Sequence, residues 1–184
     1  MSTTAEIIIA LIAGGFIGAA VLYLLQQGRT RRLRERFGPE YNRAVSEAGS
    51  RWEAEAKLDK LERKVKRLRI RPLNPTNRVH FQDAWRDIQG RFLDDPRQSL
   101  AEADRLIAEV MSAEGYPVVN FEQRAEDISV DHPIVVENYR AGHQIVLRQA
   151  EGRASTEDLR RAMIHYRALF DDLVDQPQWA RTGA

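Results

Sequence analysis

The side chains in this sequence best suited to metal or acid–base chemistry are its four histidines, His80, His132, His143 and His165. Two predicted antiparallel helices bring His143 and His165 to nearly the same level, roughly 3 Å apart along the helix axes. Glu137, the carboxylate available as a third ligand, lies about a turn and a half from His143. This spacing matches no HExxH or Glu-x-x-His signature. We therefore expect histidines at the core boundary, and a speculative polar site of His132, Glu137, His143 and His165 is the alternative.

Catalytic motifs are otherwise missing from the sequence. Asp131-His132 is most simply a helix start, and the alternative, an exposed Asp–His pair for acid–base catalysis, has no nucleophile nearby in sequence. The chain has no cysteine, which excludes disulfides, thiolate metal sites and cysteine nucleophiles. No glycine-rich phosphate loop or G-x-S-x-G motif occurs outside the apolar N-terminus. We predict that the protein is not an enzyme and holds no cofactor or metal.

Positive charge is concentrated in one part of the chain. Residues 29–71 hold 15 Lys/Arg and 7 Asp/Glu, whereas residues 72–184 hold 13 Arg and 19 Asp/Glu. The first basic group is a juxtamembrane cluster of Arg29, Arg31, Arg32, Arg34 and Arg36. It either contacts anionic lipid headgroups, at about 1 kcal/mol for each charge, or acts only as a topology signal.

A second basic group, the stalk patch, consists of Lys57, Lys60, Arg63, Lys64, Lys66, Arg67, Arg69 and Arg71. A basic amphipathic helix of this kind binds lipid, nucleic acid or an acidic partner. Asp59 and Glu62 dilute its charge, and no aromatic residue is interleaved to stack on bases. The pattern favours a solvated helix face, so nucleic-acid binding is the alternative hypothesis.

The stretch Ile7–Leu25 is an uninterrupted run of 19 residues without a charge or an amide. As a helix it is about 28 Å long, close to the ~30 Å hydrocarbon core of a bilayer. The residues before it include no Lys or Arg, which argues against a cleaved signal peptide, the alternative interpretation. Because the arginines all follow the run, we predict a single-pass anchor with its N-terminus outside and the remaining chain in the cytoplasm.

Small residues within this run recur every four positions, at Ala10, Gly14 and Gly18. A small-xxx-small strip lets two membrane helices approach closely. The strip predicts a homodimer interface, although Gly and Ala are also simply common in membrane helices.

After the anchor, Gly38-Pro39 predicts a helix break, and a stalk helix from Pro39 to about Leu68 follows. Apolar residues at Tyr41, Val45, Ala48 and Trp52, and then from Leu58 onward, form a narrow stripe typical of a coiled-coil seam. The phase of the stripe slips between the two groups. We expect this stalk to pair with a second copy or with the domain that follows.

The remaining chain predicts an all-α domain, an antiparallel four-helix bundle. Its predicted helices are Pro75–Leu93, Pro96–Glu114, a short one at Phe121–Ile128, Asp131–Ala150, and a last one from Ser155 to a frayed tail that begins near Asp175. The predicted organisation is an anchor at 1–28, a basic juxtamembrane segment and stalk at 29–71, the bundle at 72–175 and a flexible tail at 176–184.

Three stretches carry a resemblance to a known family: SVDHPIVVENYRAGH, TEDLRRAMIHYRALFDDL and the upstream LRERFGPEYNRAV. They resemble a family of uncharacterised bacterial helical proteins that share an N-terminal hydrophobic segment and are labelled membrane or secreted proteins. The resemblance implies a bacterial inner-membrane location, and the "secreted" label keeps an exported domain open as the alternative. It implies no activity.

These observations lead to one functional hypothesis. The sequence predicts a membrane-anchored adaptor or scaffold whose cytoplasmic helical bundle binds a protein partner of unknown identity. The alternatives are a membrane-tethered nucleic-acid-binding protein that uses the stalk patch, and a histidine site in the bundle.

Overall fold

Most of the part of the chain that the structure describes is helical. The computed structural model describes the backbone of residues 2–175 and the side chains of residues 14–175. Within that range it contains eight helices and no strand: α1 Ser2–Phe37, α2 Pro39–Ala48, α3 Arg51–Val65, α4 Pro75–Arg91, α5 Pro96–Glu114, α6 Phe121–Ser129, α7 Val136–Ala150 and α8 Thr156–Asp175. The predicted all-α class is confirmed, and the predicted tail, 176–184, lies outside the described residues.

The chain divides into two compact units, Met1–Ala56 and Lys57–Ala184. Unit 1 contains α1, α2 and the start of α3. Unit 2 contains the end of α3 and the five following helices. The predicted division into an anchor, a stalk and a bundle that begins at residue 72 stays a prediction.

In unit 1 the break after α1 occurs where the sequence predicts it. Gly38 has φ 49°, a backbone conformation that favours glycine, and Pro39 occupies the first turn of α2. The apolar side chains Leu33, Phe37 and Tyr41 on either side of this break are buried. Their burial stabilises the turn between α1 and α2, because opening it would expose these three side chains to solvent.

The prediction of one continuous stalk helix is wrong. α2 ends at Gly49, whose left-handed φ of 72° a helix cannot continue, and α3 begins two residues later. Trp52, expected on the apolar seam, is 70% exposed. α3 also ends at Val65 rather than Leu68. The single glycine breaks the coiled-coil seam because it turns the chain between its two halves.

Within the described residues, no helix combines the length and the apolar character that crossing a bilayer requires. The side chains of the first half of the predicted anchor, including Ala10, lie outside the described residues.

The helix starts of unit 2 follow the capping chemistry of the sequence. The Asn74 and Asp95 side chains accept hydrogen bonds from the third residues of α4 and α5, at 2.7 and 3.0 Å, and a proline follows each cap. Asn120 caps α6 in the same way, at 2.9 Å. At α8, Ser155 and Asp158 exchange backbone-to-side-chain hydrogen bonds, which is the reciprocal pattern of a capping box.

The start of α7 differs from the prediction. The helix begins at Val136, five residues after the expected cap, because the Asp131 carboxylate accepts a hydrogen bond from the Tyr116 hydroxyl at 3.0 Å instead of capping α7. Val136, Tyr139, Gly142 and Ile145 form its buried face, whereas Val135 and Val146 are half-buried.

Helices α5 and α8 form the centre of the bundle, since they contact each other and each contacts α4 and α7. The buried face of α8 includes Leu159, Met163, Tyr166, Phe170, Leu173 and Val174, which recur at helical spacing. Trp85 of α4 stacks on Phe170 with ring centroids 4.6 Å apart. The short helix α6 packs beside α7. The helical bundle is therefore confirmed, with α6 as an additional part of it.

Candidate functional site

The four residues of the speculative polar site lie in separate environments. His143 stacks on Phe121, with ring centroids 3.5 Å apart and planes 7° from parallel. His165 contacts Asn138 of α7 through its Nδ1, 2.9 Å from the amide oxygen. Glu137 is exposed. The described part of the chain holds no group of three or more His, Cys, Asp or Glu side chains arranged to hold a metal.

His132 is buried rather than exposed, which corrects the hypothesis of an exposed Asp–His pair. It contacts the Asp172 carboxylate of α8 through its Nδ1. Asp131, its predicted partner, instead accepts a hydrogen bond from the Tyr116 hydroxyl. The contact between His132 and Asp172 joins the loop before α7 to α8, so its geometry supports a structural role.

The bundle contains a three-membered polar network that the sequence does not reveal. The Arg124 guanidinium of α6 donates from Nε to the Tyr139 hydroxyl at 2.8 Å and from Nη2 to the Asp104 carboxylate at 3.1 Å. The Tyr139 hydroxyl donates to Asp104 at 3.2 Å and closes the ring. Because one member comes from each of α5, α6 and α7, the network fixes these helices in one register.

Two tyrosines at this network are held in their neutral form. Burial and then the nearby Asp104 charge raise the pKa of Tyr139 and of Tyr166. The Tyr166 hydroxyl is buried and has no hydrogen-bond partner within 3.5 Å. A tyrosine with a raised pKa in a closed core does not exchange protons near neutral pH, so the network positions helices.

His143 makes unit 2 sensitive to mild acid. Burial lowers the pKa of His143, with smaller effects from the charges of Asp104, Arg124 and Glu122. Below about pH 6.5, where an imidazole in the unfolded chain binds a proton, the folded chain resists protonation at His143. Stability that is present above this pH is therefore lost as the pH falls towards the lowered pKa.

We expect the thermal midpoint of the parent protein to fall more steeply between about pH 7 and 5 than that of His143→Phe. Phenylalanine preserves the stack on Phe121 and cannot be protonated. Parallel midpoint curves for the two proteins, followed by circular dichroism, would show that His143 does not cause the acid sensitivity.

The stalk patch is only partly solvated, which corrects the expectation of a free helix face. Lys64 binds both carboxylate oxygens of Asp127 in α6, at 2.6 and 2.8 Å. Lys57 pairs with Glu126 of the same helix at 2.7 Å. Together these two pairs join the end of α3 to α6.

The remaining cations of the patch surround an open groove. Lys60, Arg63 and Arg67 line it together with both paired lysines and Glu126, and Leu61 and Leu68 also contribute to its wall. The cavity volume is about 710 Å³. Lys60, Arg63 and Arg67 have no carboxylate partner among the described residues. We call this surface the cationic groove.

Three further basic residues of the patch lie outside the groove. Lys66 pairs with Glu62 one turn earlier, at 2.8 Å. Arg69 and Arg71 are exposed in the extended segment after α3. The Arg71 backbone N–H donates to the Glu114 carbonyl at 2.8 Å, which places this segment against the end of α5. The eight basic residues therefore do not form one continuous face.

The juxtamembrane cluster lies on the last part of α1. Arg31 pairs with Glu35 at 2.8 Å, and Arg34 lies over the Tyr41 ring at 5.1 Å from its centroid. Arg29 and Arg36 are half-buried, and Arg32 is exposed. Part of this positive charge is thus engaged within unit 1.

On the predicted helix-association strip, Gly14 and Gly18 face open space, since a Cβ at either would meet no atom within 4 Å. Both positions therefore have room for a second helix, and the homodimer remains a prediction.

Two buried carboxylates, Asp127 and Glu55, cannot be identified from the sequence. Asp127 lies 63 residues from its partner Lys64, and Glu55 lies 25 residues from its partner Thr30. Each follows an ordinary helical pattern of charged residues, so no local signal separates it from a solvated acid. Only the packing of helices distant in sequence identifies these positions.

Comparison of the chain with protein-family models, with curated proteins and with solved structures found no match. The resemblance described from the sequence therefore stays a prediction.

Proposed function

We propose that the protein is a membrane-anchored helical adaptor that binds an acidic partner protein at the cationic groove and carries out no catalysis. The observation that carries the proposal is the groove itself, where Lys60, Arg63 and Arg67 surround a wall that includes leucine side chains. Unpaired cations beside apolar surface suit the acidic and apolar faces of an amphipathic helix. One chain would then contact both the bilayer, through its anchor, and the partner protein, through its groove.

The apolar surface of α1 supports the anchor in this proposal. Every residue from 14 to 28 is exposed, and Phe16 and Leu22 are 73% and 67% exposed. A helix that is apolar on all sides is stable in an apolar surrounding, because in water its surface costs roughly 25 cal/mol per Å². The sequence run Ile7–Leu25 supplies the required length, and the arginines after it favour a cytoplasmic location for unit 2.

We also propose that two copies associate through Ala10, Gly14 and Gly18. The open space at the two glycines supports close approach of a second helix. This association would present two cationic grooves on the same membrane.

Nucleic-acid binding is the second candidate, favoured by exposed Arg69 and Arg71 close in sequence to the groove cations. It is weaker because carboxylates pair with Lys57, Lys64 and Lys66. In addition, no aromatic side chain lines the groove, so bases have no platform to stack on.

Charge reversal tests the groove. The variant Lys60→Glu/Arg63→Glu/Arg67→Glu is expected to bind a fluorescent amphipathic Leu/Glu helix at least about tenfold more weakly than the parent, because three attractive charges become repulsive. Fluorescence anisotropy of the full chain in detergent measures this. The control Arg153→Glu/Arg160→Glu/Arg161→Glu reverses the same number of charges at exposed positions away from the groove. It should bind the peptide within about twofold of the parent.

A 20-base-pair DNA and a 20-nucleotide RNA serve as competitors in the same experiment. Equal peptide binding by the groove variant and the parent would refute the groove. Peptide binding that is absent, together with nucleic-acid binding that weakens steeply with salt, would replace the adaptor with the nucleic-acid hypothesis.

A further inference from the structure

Unit 1 contains a second open cleft, with a volume of about 430 Å³, just beyond the end of the apolar run. From α1 it is lined by Tyr23, Gln26, Gln27, Thr30 and Arg34, which recur at helical spacing on one face. From α3 it is lined by Arg51, Trp52 and Glu55. We call this the interfacial cleft.

A buried carboxylate builds the base of this cleft. Glu55 is buried, and its Oε1 accepts hydrogen bonds from the Thr30 hydroxyl at 2.7 Å and from the Tyr41 hydroxyl at 2.9 Å. One carboxylate thus joins α1, α2 and α3. Because these two hydrogen bonds reach α1 and α2 from α3, Glu55 acts as a positioning residue for the cleft walls.

The walls of the cleft are suited to an anion. Arg34 is held over the Tyr41 ring, which orients its guanidinium, and Arg51 is exposed with no carboxylate partner among the described residues. The two arginines outnumber the single carboxylate of Glu55. Planar guanidinium groups with several donors match the geometry of phosphate oxygens.

The position of the cleft along α1 identifies the source of that phosphate. Thr30 and Arg34 lie about 8 and 14 Å along the helix beyond Leu25, the last residue of the apolar run. If the run occupies the hydrocarbon core, Thr30 lies at the outer edge of a headgroup layer about 5–8 Å deep, and the Cα of Arg34 lies about one helical turn beyond it. The long Arg34 side chain leans towards the N-terminus of α1 and can therefore reach the phosphate level. Tyr23 and Trp52 are both exposed large aromatics at the cleft, the residue type enriched at membrane interfaces.

We propose that the interfacial cleft binds the phosphate headgroup of one anionic phospholipid. Arg34 and Arg51 contact the phosphate, Gln26 and Gln27 contact the polar glycerol groups, and Trp52 lies against the start of the acyl chains. This inference rests on the proposed membrane anchor. It goes beyond that anchor because it assigns a defined lipid site rather than a diffuse attraction between arginines and a charged surface.

Short-chain lipids test the cleft in the full chain, purified in maltoside micelles. Dihexanoyl phosphatidylglycerol, dihexanoyl phosphatidylcholine and inorganic phosphate are titrated while tryptophan fluorescence reports on Trp52, with Trp52→Phe as the probe control. For Arg34→Gln/Arg51→Gln the apparent Kd for phosphatidylglycerol should rise at least about tenfold, since two charge-assisted contacts are lost. The control Arg43→Gln/Arg97→Gln, which removes two charges outside the cleft, should change it less than about twofold.

Arg51→Gln alone is a second variant that avoids any disturbance of the Tyr41 contact, and it should also raise the Kd for phosphatidylglycerol. Unchanged binding in both cleft variants would refute the cleft. Displacement of the lipid by inorganic phosphate at about 10 mM would instead indicate a free-anion site. Extraction of the parent chain from host membranes by alkaline carbonate would refute the anchor, even if the cleft variants lose lipid affinity.

Discussion

Gly142→Ala is expected to lower the free energy of unfolding by about 2 kcal/mol, an unusual result for a glycine in the middle of a helix. A Cβ at this position would lie 2.7 Å from the Tyr166 ring, closer than side-chain atoms approach. Tyr166 is fully buried, so its ring cannot swing out into solvent. The overpacking cost exceeds the gain of about 1 kcal/mol that alanine brings to a helix interior.

Gly90→Ala is the control, because Gly90 lies in the last turn of α4 and a Cβ there would meet nothing within 4 Å. It should stabilise the protein by roughly 0.5–1 kcal/mol. Urea unfolding of both variants measures the two effects. Stabilisation by both alanines would mean that α7 and α8 are not in close contact at Gly142.

Lys64→Met is expected to destabilise unit 2 by about 3 kcal/mol, because it leaves a buried carboxylate without its counter-charge. The Asp127 side chain is 0% exposed, whereas Lys64 is 42% exposed. The neighbouring pair, Lys57 with Glu126, has side chains that are 55% and 36% exposed. Lys57→Met should therefore cost less than about 1 kcal/mol, as exposed pairs do.

The double variant Lys64→Met/Asp127→Leu tests whether the unpaired Asp127 carboxylate causes this loss of stability. Removal of both charges should recover most of the lost stability, since an apolar pair of similar size replaces the buried ion pair. Equal losses for Lys64→Met and Lys57→Met would contradict the burial of Asp127. Urea unfolding, with the slope of the transition checked for constancy, measures all three.

Much of unit 2 could be predicted because its signals are local. Proline and Asn or Asp at helix starts, and apolar residues at helical spacing in α5 and α8, specify helices and their inner faces without knowledge of distant residues. The predicted start of α7 was wrong, because Asp131 could either cap a helix or accept a hydrogen bond from the Tyr116 hydroxyl. Tertiary contact with a residue 15 positions away selected the second option.

The surfaces were harder to predict than the helices. The sequence identifies Lys57 to Arg71 as basic, but it does not show that α6 neutralises Lys57 and Lys64 and leaves Lys60, Arg63 and Arg67 around a groove. Likewise, the sequence shows the arginines of the juxtamembrane cluster as a group. Their division between internal contacts and the interfacial cleft depends on Gly49, which turns α3 away from the direction of α2.

The central claim, that one chain joins an acidic protein segment to a bilayer, is tested most directly by co-flotation. Vesicles of phosphatidylcholine and phosphatidylglycerol that contain the full chain are mixed with the fluorescent Leu/Glu helix and centrifuged through a sucrose gradient. The account predicts that the chain and the peptide float together, and that the peptide stays at the bottom when the chain carries Lys60→Glu/Arg63→Glu/Arg67→Glu. Recovery of the chain itself at the bottom, or equal flotation of the peptide with both proteins, would contradict it.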